Sequence, residues 1–366
     1  MLTMYHGVAV IDTHGHMSTP PQFRAYAYNL IALRSPAAMR LSIPDEQMDG
    51  ALRRHLRIMD ERAIDLQLVS PRPVAMMHWE RPFLVQAWTE TTNDVIASQC
   101  RAHPTRLAGV AQLPQSSECD TANCVAELQR RVAEGFVGAL VNPDPGADRR
   151  TPAMSEPYWF PLYEAAQDLG ATLVVHPSIS RDPRLEAVSH GYQQHNMAEE
   201  TLATMHLEQG EVFERYPGLR VLVCHCGGAP RRLLQAGQRL RVGASEVVVR
   251  SSAEREGGQV GMPVTEVART RRDLRANLFF DTCAYDPDFL ATAIRQRGVA
   301  QMVFGTEAPG AGTGVLNPVT GRPSDDLVPV IDAMDFLSAE DRTQILHHNP
   351  RAAFPLLPEP QARKSR

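Results

Sequence analysis

Eight short apolar runs, spread along nearly the whole chain, constrain this sequence more than any other feature. They are Val8–Asp12, Asp65–Ser70, Leu107–Leu113, Phe136–Asn142, Ala171–His176, Arg220–His225, Leu278–Asp281 and Gln301–Gly305. Most lack polar alternation, which is how a strand buried on both faces reads. Segments with helical spacing lie between them. Val125, Leu128 and Val132 recur at threes and fours within Asp120–Glu134, as do Met48, Leu52, Leu56 and Met59 before the second run. Pro157–Leu169, Pro287–Arg297 and Ser338–Phe354 also suit helices, and Ser338 with Asp341 resembles a capping pair.

Strand and helix in alternation predict parallel strands joined by crossover helices. Eight such units in 366 residues predict a (β/α)8 TIM barrel with long βα-loop insertions. An open doubly wound sheet is the alternative, but no GxGxxG follows the first run. We expect one domain over 1–356, with insertions near 17–45, 178–197, 243–263 and 308–325 and a flexible tail at 357–366. A hydrophobic fraction of 43% with 22% charged residues excludes a disordered chain. A formal charge of −5 argues against nucleic acid as a partner. No run of about 18 apolar residues predicts a membrane span. Met1–Val10 lacks the pattern of a secretory signal, and the six scattered cysteines form no CxxC pair. Reduced thiols in the cytoplasm are the expectation.

In a barrel of this kind, chemistry gathers at the carboxyl ends of the strands. His14-Gly15-His16 follows the first run, His176 ends the fifth, His225 ends the sixth, and Glu307 follows the eighth. Residues i and i+2 of a strand point the same way, so His14 and His16 can share one ion. A lone histidine is more often a satisfied core or surface residue than a ligand. Imidazoles and a carboxylate converging from several strand ends instead suit a divalent metal, Zn2+ first and Mn2+ second. The chain has no GxxxxGK[ST] phosphate loop and no GxSxG elbow.

The segments VIDTHGH (Val10–His16), His176, VLVCHCGG (Val221–Gly228) and FGTE (Phe304–Glu307) resemble the amidohydrolase superfamily. The likeness is to its branch that includes aminocarboxymuconate semialdehyde decarboxylase. Most of that branch carries Asp after the eighth strand. Glu307 departs from it and is similar to the 4-oxalomesaconate hydratases and to the zinc-dependent meta-cleavage-product hydrolases of lignin-derived biphenyl catabolism. The hydrolase likeness extends through VSPRPVAMM (Val69–Met77), VNPDP (Val141–Pro145), YWFPLYE (Tyr158–Glu164), EETLAT (Glu199–Thr204), CHCGGAP (Cys224–Pro230) and DFLSAED (Asp335–Asp341).

This resemblance implies that His14, His16, His176 and Glu307 hold one Zn2+ and that His225 is the acid/base. Glu307 would also accept a proton from bound water. Arg72 would meet a substrate carboxylate, with a structural ion pair as its alternative. Asn142, Tyr192, His195, Asn196 and Arg231 are further polar candidates. The implied substrate is a small carboxylated ring-fission product, the implied reaction hydrolysis of a C–C bond, and the implied assembly a homo-oligomer. The alternatives are hydration of a conjugated oxo-dicarboxylate, non-oxidative decarboxylation, and a barrel without catalysis of its own.

Overall fold

Each of the eight apolar runs contributes a strand to one parallel sheet. In the computed structural model, which describes residues 5, 7–36, 41, 43–189, 191–229, 241–242, 245–246 and 276–358, these are β1 (Ile11–His16), β2 (Leu66–Ser70), β3 (Leu107–Gln112), β4 (Gly138–Val141), β5 (Thr172–Val175), β6 (Arg220–Val223), β7 (Leu278–Asp281) and β8 (Met302–Val303). They pair in chain order. The ring is closed by Thr13, whose backbone N–H donates to Phe304 O at 2.8 Å. The result is a (β/α)8 barrel. No helix among the described residues is long and apolar enough to cross a membrane.

Two separate apolar clusters follow from the two-residue period of the strands. One joins Val69, Ala111, Val141, Val175, Val223 and Phe280 to helix residues such as Leu128, Leu162 and Leu290. The other takes the alternate positions, including Ile11, Leu68, Val110, Leu140, Val174, Leu222, Phe279 and Val303, and fills the barrel. Phe354 and Leu357 belong to this inner cluster and plug its amino-terminal end. The packed domain therefore extends one residue past the predicted boundary at 356, because Leu357 is 7% exposed. The rest of the predicted tail, from 359, lies outside the described residues.

Several expected boundaries move. The first strand begins three residues later than its apolar run and carries both histidines of the HGH triplet. Its pairing with β2 slips between Asp12 and Gly15. This bulge changes the phase of the strand: Ile11 faces the inner core, and after the slip His14 and His16 face inward instead of Gly15. The stretch 17–45, expected as an insertion, contains helix α1 (Pro21–Leu33). α2 (Asp45–Glu61) matches its periodic pattern, and α3 (Pro82–Ala102), which was not anticipated, packs on β3. α4 (Ala122–Ala133) and α5 (Phe160–Leu169) fall where predicted. The 178–197 insertion is largely helical, comprising α6 (Pro183–Glu186) and the start of α7 (Gly191–Gln209). The segment after Ser338 is one helical path with a π turn at Gln344–His348, and the capping box at Ser338 and Asp341 is present. Most of the 243–263 insertion lies outside the described residues; Ser245–Glu246 pairs antiparallel with Arg241–Val242 in a separate ladder.

Candidate metal centre and its acid–base groups

Three histidines present bare ring nitrogens to one point. His14 Nδ1 lies 2.7 Å from Asp281 Oδ2, and His176 Nδ1 lies 2.7 Å from Pro177 O. A carboxylate and a carbonyl only accept here, so both Nδ1 atoms carry the proton. His16 Nδ1 lies 2.8 Å from Ser70 Oγ. That hydroxyl is placed to donate to Gly15 O at 3.0 Å, so it accepts from His16. All three Nε2 atoms are therefore lone-pair acceptors. All three are buried and unpartnered. Buried polar atoms without partners are rare, and three aimed into one cluster are what a cation requires.

The cluster is tight. The ring centroids of His14, His16 and His176 lie 5.1–5.5 Å apart. His14, His176, His225 and Glu307 each offer a ligand atom within 4.8 Å of the others. His16 joins through its Nε2, 3.6 Å from Glu307 Oε1. That is too long for a hydrogen bond. It is close to the separation of two ligands each about 2.1 Å from a shared tetrahedral ion. Burial lowers the His16 pKa to about 4 and holds His176 well below the usual range. The Glu307 carboxyl is held well below its ordinary value: burial opposes this, and His16, His225 and His14 outweigh it. Neutral imidazoles and an ionised carboxylate are the forms that ligate a cation. The residues present thus fit one divalent ion.

Glu307 reaches the cluster on a strained turn. Its φ is +61°, and its backbone N–H donates to His14 O at 2.6 Å. Asp12 fastens the same turn to β1, accepting from the backbone N–H groups of His14 and Thr306 and from the Thr306 hydroxyl. Tyr285 donates its hydroxyl to Glu307 Oε2 at 3.0 Å. Non-glycine residues at positive φ cluster at functional sites, and His225 and Cys226 share the feature, with φ of +47° and +61°.

His225 stands beside the cluster, its ring centroid 5.1 Å from His14 and 5.0 Å from His176. Its Nδ1 donates to Glu200 Oε1 at 2.7 Å. Burial would lower the His225 pKa, but Glu200, then Glu307 and Asp281, lift it to about 10. Glu200 and its acidic neighbours thus favour the imidazolium, the form suited to donating a proton.

Helix α7 supplies Glu200 and closes this side of the site. Tyr192, Asn196 and Glu200 are spaced by four and share one face. Burial raises the Tyr192 pKa; Asn196 acts against it, and Glu307 and Glu200 add to it. The helix packs directly on the turn after β6. A Cβ at Gly228 would meet the Thr201 backbone nitrogen at 2.5 Å, and its φ of +75° with ψ of −145° suits glycine alone.

The remaining candidates divide. Arg72 lies at the mouth, donating to Pro309 O at 3.1 Å, and its charge acts on Glu307 and Tyr192. Asn142 is engaged inside the β4 loop, accepting from Asp144 N and facing His78. His195 is buried, which lowers its pKa to about 4, and the charges acting on it are those of Arg149 and Asp182. Arg231 lies outside the described residues. Sequence reasoning missed Asp281, Glu200 and Tyr285. Asp281 could have been found by the strand-end rule, because it closes the seventh run.

The family model described as amidohydrolase matches residues 11–356. A 2-keto-4-carboxy-3-hexenedioate hydratase from Sphingobium sp. (strain NBRC 103272 / SYK-6) is 32% identical over 359 residues, covering 95% of this chain and 96% of the relative. A 2-amino-3-carboxymuconate-6-semialdehyde decarboxylase from Dictyostelium discoideum is 30% identical over 169 residues, 45% of each protein. Among solved structures, a 4-oxalomesaconate hydratase from Rhodopseudomonas palustris superposes with a TM-score of 0.76 at 26% identity, covering 95% of this chain and 96% of that one.

Proposed function

The chain belongs to the amidohydrolase family, and from that premise we propose that it is a metal-dependent hydratase adding water across the conjugated C=C bond of a small oxo-carboxylate. The observation that carries the metal reading is the set of three buried, unpartnered Nε2 atoms around Glu307. Full-length likeness to a hydratase supports water addition. C–C hydrolysis, the leading expectation from sequence resemblance, gives way to its hydratase alternative, because a relative 32% identical over 95% of the chain is a hydratase.

In a 2-oxo-3-enoate the ketone withdraws electrons from the double bond. Water oxygen therefore bonds to the carbon β to the ketone, the C=C pair shifts toward the ketone oxygen, and the α carbon is finally protonated. Bound Zn2+ or Mn2+ supplies Lewis acidity, lowering the pKa of water and polarising oxygen. Glu307, ionised and tied at Oε2 by Tyr285, accepts the water proton through Oε1. His225, held at Nδ1 by Glu200, delivers a proton to the α carbon from its other ring nitrogen, Nε2. Hydroxyl and hydrogen thus add without loss of any fragment. Arg72 pairs with a substrate carboxylate at the rim, where its guanidinium is preorganised by Pro309 O. Tyr192 and Asn196 cover the substrate from α7.

Product mass tests this reading. Incubation with a 2-oxo-3-enedioate is expected to give one product heavier by a water. Two fragments would assign hydrolysis, and CO2 release would assign decarboxylation; either overturns it.

A further inference from the structure

We propose that Asp281 is a positioning residue that ties the metal-facing nitrogen of His14 to the strained turn bearing His225. Asp281 ends β7 and is fully buried. Its Oδ2 accepts from His14 Nδ1 at 2.7 Å. Its Oδ1 accepts from the backbone N–H of Cys226 at 3.2 Å and of Cys283 at 3.0 Å. One carboxylate therefore sits between strands β1, β6 and β7 and fastens a piece of each. Gly305 of the β8 end makes room for the contact: a Cβ there would lie 2.9 Å from both Asp281 Cβ and His14 Cβ.

The two oxygens do different work. Oδ2 fixes the proton of His14 on Nδ1 and so leaves Nε2 bare; a ring with the opposite tautomer offers no lone pair to a cation. Oδ1 holds the N–H of Cys226, whose φ of +61° follows the +47° of His225. Two successive non-glycine residues in the left-handed region need such an anchor to persist. Acid and metal ligand are thereby set at a fixed separation by one side chain. The inference rests on the metal reading of the site, not on the reaction, so failure of the hydratase reading leaves it standing.

Asp281→Asn separates the two halves. The amide oxygen can keep the backbone N–H bonds, while its NH2 faces His14 Nδ1 and favours the proton on Nε2. Zn2+ affinity of the full chain, measured by chelator competition, is expected to fall 10–100-fold, with the thermal midpoint of the metal-free protein near that of the parent. Parent-like affinity overturns the His14 half. In Asp281→Ala, amide exchange of the Cys224–Gly228 segment is expected to accelerate while α3 is unchanged; equal exchange overturns the other half. Should neither variant fold, 15N spectra of histidine in the metal-free parent decide the point: His14 protonated at Nδ1 supports the proposal, and at Nε2 overturns it.

Discussion

Replacing Glu200 with Gln should move the alkaline limb of catalysis without disturbing the acid side. Glu200 lies 2.7 Å from His225 through a partly buried hydrogen bond, and its own side chain is completely enclosed. With charge centres about 4 Å apart and an effective dielectric near 20, the attraction is about 4 kcal/mol. That corresponds to a change of about 3 pH units in His225, in the direction of its elevation, which burial opposes and Glu200, Glu307 and Asp281 produce. A raised value means the imidazolium is present below it and lost as pH rises through it. Gln keeps the acceptor but removes the charge, so the His225 pKa should fall, by up to about 3 pH units. Above that lowered value the variant loses the proton that the parent keeps, and kcat/KM should drop about tenfold for each pH unit beyond it. At pH 6 the two proteins should differ little. Loss of the enone ultraviolet absorbance, followed across pH, reads this directly. An unchanged alkaline limb would refute the assignment of His225 as the acid and Glu200 as its charge partner.

Glu307→Gln removes the proton acceptor and one ligand charge. The rate should fall by about 10²–10⁴, with metal affinity also reduced, as metal titration with turnover would show. His176→Ala should abolish stoichiometric metal binding, so added Zn2+ no longer raises the melting temperature of the variant as it does that of the parent. Gly228→Ala places a Cβ against the backbone of Thr201 in a conformation reserved for glycine. It should cost about 1–3 kcal/mol or more, seen as a lower urea midpoint, and α7 should exchange amides faster. Arg72→Ala should raise KM for a dicarboxylate more than it lowers kcat, because it removes a rim contact; the reverse split would move Arg72 into the chemistry.

The fold was legible because parallel strands buried on both faces leave an unbroken apolar signature, and each such run ended up in the barrel. The HGH triplet, His176 and Glu307 were legible because strand ends concentrate chemistry and imidazole is an uncommon thing to place there. What escaped had no period. The bulge that turns His14 and His16 inward is a slip in pairing between Asp12 and Gly15, invisible without the neighbouring strand. α7 has apolar residues on no single face, since its buried side carries Tyr192, Asn196 and Glu200 over a polar site. Glu200 and Asp281 are lone acids in sequence, and their importance comes from the rings they meet across 25 and 267 residues. α1 and α3 escaped because both are only weakly amphipathic and leave little helical period, although Pro21 and Pro82 open them in the usual way.

The most direct test is the rate of water addition against metal content. Chelator-treated protein titrated with Zn2+ or Mn2+ should regain turnover linearly and saturate at one equivalent, with the hydrated product as the only one. Full turnover by the metal-free chain, or saturation with no gain of water in the product, would contradict the account.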